Sequence, residues 1–511
     1  MVIKVVLLLI FFGTMIAIGL YCRKHSTDVN GFVLGGRSVG PWLTAFAYGT
    51  SYFSAVVFVG YAGQFGWKYG LASTWIGIGN AVIGSLLAWV ILGRRTRIMS
   101  NHLSASTMPD YFGKRFNSKS LKIAASIISF VFLVPYTASV YNGLSRLFGM
   151  AFDIPYAACV IVMAVLTGVY VILGGYMATA INDFIQGIIM IFGIVAVIVS
   201  VLNGQGGFTQ AVFKLAQIPS EVAATAGQPG AYASFFGPDL PNLLGVVVLT
   251  SLGTWGLPQM VHKFYAIKDE KSIKSGTVIS TLFAMVIAGG CYFLGGFGRL
   301  FDSPAIYNAD GAIVYDSIIP TMLSGLSDAL IGIVIVLVLS ASMSTLSSLV
   351  LTSSSTLTLD FLKDNVIRKM DEKKQLLCMR IFIVFFILLS VILALDPPTF
   401  IAQLMGISWG ALAGAFLAPF LFGLYWKGVT KAAVWSSFAV GIGITVTNMI
   451  WGYIASPINA GAIAMAAGLI VVPLVSLFTP KMAKDDMDQI FACYDEEVSV
   501  KKKIALPAES K

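Results

Sequence analysis

The stretch YGTSYFSAVVFVGYAG, residues 48–63, decides the fold. It is apolar enough to lie in a membrane, yet Gly49, Gly60 and Gly63 stand among small hydroxylated residues and weaken any helix there. Further along, TSLGTWGLPQ (250–259) repeats the fault with Gly253, Gly256 and Pro258. Each faulty segment opens a block of five long apolar segments, 41–201 and 242–423, and residues 202–241 separate the blocks. An odd number of crossings per block makes the two blocks enter the membrane from opposite sides, the arithmetic of an inverted repeat. In transporters built this way the first helix of each half is interrupted, and its unwound backbone faces a central cavity. Glycines that merely let helices pack closely are the alternative reading of the same residues.

The whole chain supports a membrane setting. Of its 511 residues 57% are hydrophobic and only 11% charged, with a mean hydropathy of +0.85. A soluble domain carries about 25% charged residues. One crossing takes about 20 apolar residues, because only a helix satisfies its own backbone inside hydrocarbon. Thirteen segments qualify, among them 41–65, 71–93, 154–173, 179–201 and 242–264. The expected fold is an all-α polytopic membrane protein of about thirteen transmembrane helices, a five-plus-five inverted repeat with broken first helices. Residues 1–40 add an N-terminal transmembrane helix and an inner loop, 424–478 two further helices, and 479–511 a cytoplasmic tail.

The 33 Lys and Arg residues gather on alternate loops and on the tail, which places the N-terminus outside and the C-terminus in the cytoplasm of a cell membrane. The net charge of +9 is then mostly topology, and no nucleic-acid partner is expected. Arg23 and Lys24 follow the first apolar segment with no small-residue cleavage site, so it reads as a retained span rather than a signal peptide. Five scattered cysteines, without metal spacing, read as free thiols. His25, His102 and His262 all fall in or beside inward-facing loops.

A second stretch raises the chemistry. In SASMSTLSSLVLTSSSTLT (340–358), Ala341, Ser344, Thr345 and Ser348 recur at i, i+3, i+4 and i+7 and share one helical face, with Ser347 flanking it. A hard monovalent cation needs several oxygens, and a broken helix supplies free carbonyls. Ser344 and Thr345 with main-chain oxygens around Thr50 and Phe53 would make such a cage; ordinary hydroxyls bonded back to their own backbone are the other reading. Asp183, inside TAINDFIQGIIM, adds a carboxylate within a span, and such a residue calls for a partner. Lys263 and Arg380 stand at span ends, and no Lys or Arg inside another span offers itself. A cation between Asp183 and Ser344, Ser347 and Ser348 would resolve the charge. A carboxylate at the mouth of a helix N-terminus would do so too.

Five segments in order, FVLGGRSVGPW (32–42), GTSYFSAVVFVG (49–60), YVILGGYMATAINDFIQ (170–186), LSASMSTLSS (339–348) and LFGLYWKGVTKAA (421–433), resemble the sodium/solute symporter family over nearly the whole chain. The resemblance implies a LeuT-like fold and inward movement of a small solute with sodium ions. It implies a sodium site made by the carbonyls of Thr50, Phe53 and Ala341 and the hydroxyls of Ser344 and Thr345. A second sodium site, present in some members, maps to Asp183, Ser344, Ser347 and Ser348. Proline-transporting members carry an aspartate where this chain has Tyr52, and sugar-transporting members a Glu-Gln pair where it has Val56 and Val57. GTSYFSA and FGLYWKGVTK are most similar to the pantothenate and monocarboxylate branches, so an organic anion is the expected solute, with a proline-like amino acid as the alternative. Ser54, Tyr136, Trp255, Gln259 and Gln403 are the candidate solute-binding residues, Gln259 and Tyr136 as donors to a carboxylate. A monomer is the expected functional unit.

Two rivals remain at this stage. GISWG (406–410) matches the G-x-S-x-G pattern of serine hydrolases around Ser408, which has meaning only on a strand-to-helix turn with a histidine nearby. A channel would want rings of charge or a carbonyl filter. No enzymatic activity is expected.

Overall fold

The computed structural model describes residues 2–23, 27–152, 154–363, 366–367 and 370–495. Residues 496–511 of the expected tail lie outside the described residues. In chain order the main helices are α1 (Val2–Cys22), α2 (Pro41–Tyr52), α3 (56–69), α4 (74–102), α5 (Lys119–Phe152), α6 (Tyr156–Gly204), α7 (Leu240–Leu252), α8 (Pro258–Ala266), α9 (Glu270–Gly295), α10 (Asp328–Thr356), α11 (Glu372–Leu395), α12 (Ile401–Tyr425), α13 (Lys431–Trp451), α14 (Pro457–Phe478) and α15 (Lys484–Phe491). Among the described residues no strand forms beyond two isolated bridges, one joining Val39 to Ile267.

Among the described residues, ten helical runs are long and apolar enough to cross a membrane, or eleven if the bent pair α7–α8 counts as one span. The expected count of thirteen is not confirmed, since 154–173 is here a shorter apolar helix, Tyr156–Val169, and residues 56–102 count as one run. The expected boundary between 154–173 and 179–201 is present: α6 is two helices that meet at a break at Gly175 (φ 55, ψ −151). That conformation suits glycine alone. A Cβ at Gly175 would also come within 2.8 Å of Phe32. Within the run 56–102, Gly70 (φ 60, ψ −140) divides α3 from α4.

Both expected faults are present. α2 stops at Tyr52 because Phe53 is extended (φ −111, ψ 98), and the chain resumes helically as α3. α7 stops before Leu257 (φ −87, ψ 122), and Pro258, whose fixed φ and missing N–H suit a first helical position, starts α8 at a 48° bend. At Gly256 a Cβ would sit 2.8 Å from the Leu417 amide and 2.9 Å from the Ala413 Cα, so only glycine lets this break lie against α12.

α12 packs on α5, α13 and α14, and α10 on α5 and α6. Apolar side chains such as Phe192, Ile392, Leu474 and Phe478 are exposed on the outer faces of α6, α11 and α14, as a hydrocarbon surrounding requires. The first break lies beside α10 and the second against α12.

Candidate functional site

The first break frees backbone oxygens where α10 brings hydroxyls. The Ser344 hydroxyl lies 2.9 Å from the Thr50 carbonyl and 3.0 Å from the Ala341 carbonyl. The Thr345 hydroxyl reaches the same two carbonyls at 3.3 and 3.1 Å and the Ser51 carbonyl at 3.4 Å. All five residues are buried. Each hydroxyl has one proton to give, so two protons serve three carbonyls. The cluster gathers oxygens, the ligand type a hard cation takes. Phe53 follows at the break itself, where its extended backbone turns its peptide out of the helical ladder. The structure thus brings Thr50, Ala341, Ser344 and Thr345 into direct contact, with Phe53 adjoining.

The second set is arranged differently from the sequence expectation, because Asp183 has a lysine partner. The Lys263 ammonium lies 3.7 Å from Asp183 Oδ2, with the side chains 2% and 0% exposed. It donates to the Ser348 hydroxyl at 2.8 Å. That hydroxyl meets the Ser51 hydroxyl at 2.7 Å. The ring of Tyr176, directly after the Gly175 break, has its centroid 5.3 Å from the same ammonium. Lys263 does stand at a span end, in the last turn of the nine-residue α8, but that turn is buried, as is His262 just before it. The Ser347 hydroxyl donates back to the Ser344 carbonyl at 2.9 Å, along its own helix.

The candidate solute residues fall into two groups. Gln259, on the first turn of α8, is buried, and neither end of its amide has a hydrogen-bond partner. The Tyr136 hydroxyl and the Trp409 indole nitrogen are in the same condition, and their rings meet edge to face at 5.8 Å. Tyr52 stacks on Phe53 (4.3 Å), and the Trp409 ring lies tilted 6.0 Å from it. By contrast, the Trp255 indole donates to the Ile83 carbonyl at 3.0 Å, and the Ser54 hydroxyl accepts from the Val56 amide at 3.2 Å, capping α3. Gln403, half-buried in the first turn of α12, accepts from the Thr399 hydroxyl four residues before it.

Sequence reasoning missed Trp409 and Lys263. Trp409 was hidden in GISWG, whose glycines read as a hydrolase pattern. That segment lies inside helix α12, and the Ser408 hydroxyl donates to the Phe132 carbonyl. No strand-to-helix turn is present there.

Residues 32–441 match the model of the sodium:solute symporter family. A sodium/proline symporter of Staphylococcus aureus (strain JH9) is 30% identical over 504 residues, spanning 94% of this chain and 92% of that protein. The osmoregulated proline transporter OpuE of Bacillus subtilis (strain 168) is 28% identical over 490 residues, 93% of this chain and 94% of that protein. The solved structure of a Na+-coupled sialic acid symporter, substrate-bound and outward-open, superposes with a TM-score of 0.75 at 15% identity, covering 94% of this chain and 99% of that one. At that identity the likeness is one of fold.

Proposed function

The chain belongs to the sodium:solute symporter family, and from that premise we propose that it carries a small zwitterionic solute of the proline type into the cell with sodium, by alternating access. Sodium is the coupling ion of the family, and the oxygen cluster of Thr50, Phe53, Ala341, Ser344 and Thr345 is its proposed seat. The observation that carries the solute class is that two relatives matched over more than nine-tenths of the chain are named as proline transporters. This shifts the reading away from the organic anion expected from short motifs. The site's chemistry supports it: an unpartnered Gln259 amide offers both a donor and an acceptor, while Tyr136 and Trp409 add an unused hydroxyl and N–H. An organic anion is the second reading, favoured by Tyr52 standing where proline-transporting members carry aspartate.

In the proposed cycle, sodium at the break between α2 and α3 stabilises the outward-open arrangement, the solute fills the space beside Gln259, and the two repeats rock to release both inward. The protein is proposed to act as a monomer in the cell membrane, N-terminus outside and C-terminus inside. Uptake of labelled proline into proteoliposomes tests the reading, with sodium replaced by potassium in one arm and with lactate and pantothenate as competitors in another. Saturable uptake that vanishes in potassium is expected. Undiminished uptake in potassium would remove sodium coupling, and uptake of lactate or pantothenate in place of proline would return the anion.

A further inference from the structure

The place that sequence set aside for a second ion already holds a cation. Asp183 and Ser348, two of the four residues mapped to that position, both face the Lys263 ammonium, at 3.7 and 2.8 Å. Of the other two, Ser344 is engaged with the Thr50 and Ala341 carbonyls, and Ser347 with the Ser344 carbonyl. What surrounds the lysine is what an ammonium needs: one carboxylate, one hydroxyl that can accept because it shares its proton with Ser51, and the Tyr176 ring beneath. A sodium ion at the same position would meet a fixed positive charge within the same shell of oxygens. Conversely, a buried carboxylate without this lysine would require a mobile cation or a proton.

We propose that the Lys263 ammonium is a tethered cation standing in for a second transported ion, so that each cycle moves one sodium ion. The inference rests on the sodium-coupled cycle proposed above. It also bears on the solute. With one sodium ion, a monoanion would move without net charge and gain nothing from the membrane potential, whereas a zwitterion carries one charge inward per cycle. The lysine stays with the protein, so its charge compensates Asp183 in every state without being released to either side.

Equilibrium binding of radioactive sodium to the purified full-length protein tests this directly. Wild type is expected to bind one sodium per chain and Lys263→Ala two, because the vacated position keeps Asp183, Ser347 and Ser348. The double variant Lys263→Ala/Asp183→Asn should return to one. Asp183→Asn alone provides a second measure should Lys263→Ala fail to fold: it should leave the count at one and change the half-saturating sodium concentration by less than about threefold. Two sodium ions on wild type, a count that stays at one in folded Lys263→Ala, or loss of a bound ion in Asp183→Asn would each overturn the proposal. Failure of wild type to bind any sodium would instead overturn the sodium cycle on which it rests, so the two failures are distinct.

Discussion

Tyr52, on the last turn before the first break, donates its phenol hydrogen to the carbonyl of Thr250, on the last turn of α7 before the second. The two discontinuities are thereby fastened to each other. Both also attach to one strip of α4: Tyr48 and Thr254 share the Gly84 carbonyl at 2.6 and 3.3 Å. A relative movement of the repeats must strain or exchange these bonds. Tyr52→Phe keeps the ring and removes the bond, leaving a buried carbonyl unpaired at a cost of about 1–3 kcal/mol. The expected result is a lowered melting temperature together with altered maximal uptake, read side by side on purified protein and proteoliposomes.

Removing both hydroxyls of the oxygen cluster, Ser344→Ala with Thr345→Ala, should raise the sodium concentration for half-maximal uptake tenfold or more, about 1.4 kcal/mol or above. Uptake that keeps its wild-type sodium dependence would show that the ion sits elsewhere.

Gln259→Leu should raise the KM for solute by about tenfold, the loss of one or two hydrogen bonds from a buried partner. The sodium dependence measured at saturating solute should change much less, which separates a solute ligand from an ion ligand.

Asp316, in the turn Tyr315–Ser317, accepts from the Ile401 amide at the start of α12 at 3.2 Å. Burial pushes its carboxyl up to about 6, only partly offset by that amide and by Arg146. A carboxyl whose folded value exceeds its unfolded value, about 3.9, holds its proton more tightly when folded. Its contribution to stability is complete below about pH 4 and is lost as the pH rises through about 6. Asp316→Asn should remove this loss, raising the melting temperature at pH 7 relative to wild type by the equivalent of on the order of 2–3 kcal/mol while leaving pH 4 nearly unchanged.

Gly175→Ala tests the break within α6. The backbone there lies in a region open to glycine, and Phe32 occupies the space a methyl would need. Destabilisation of about 1–3 kcal/mol is expected, visible as a lower melting temperature in detergent.

The first break was legible in the sequence only as a segment, since Gly49, Gly60 and Gly63 are all helical and the chain breaks at Phe53. The second was legible because Gly and Pro act locally. The face shared by Ala341, Ser344, Thr345 and Ser348 was legible for the same reason, through helical spacing. The partner of Asp183 was not, because Lys263 sits four residues before a polar loop, where long side chains ordinarily reach toward water. Only the tertiary burial of the last turn of α8 turns it inward. The boundary between the segments 154–173 and 179–201 was legible too, and the backbone breaks between them at Gly175. Among the solute candidates, the sequence showed which side chains carry donors but not which donors were already used, and that difference separates Gln259 and Tyr136 from Trp255.

On the proposal that Lys263 stands in for a second ion, its buried ammonium also fixes a gear ratio. At about 100 mV and a tenfold sodium gradient, one ion drives a zwitterion to a ceiling of roughly 500-fold accumulation, and a second ion would square that figure. A carrier with the lower gear stalls sooner but delivers twice the solute per sodium ion admitted. That suits a cell that takes up an abundant solute in bulk better than one that scavenges traces. On that proposal, a single side chain on a nine-residue helix sets which kind of carrier this is.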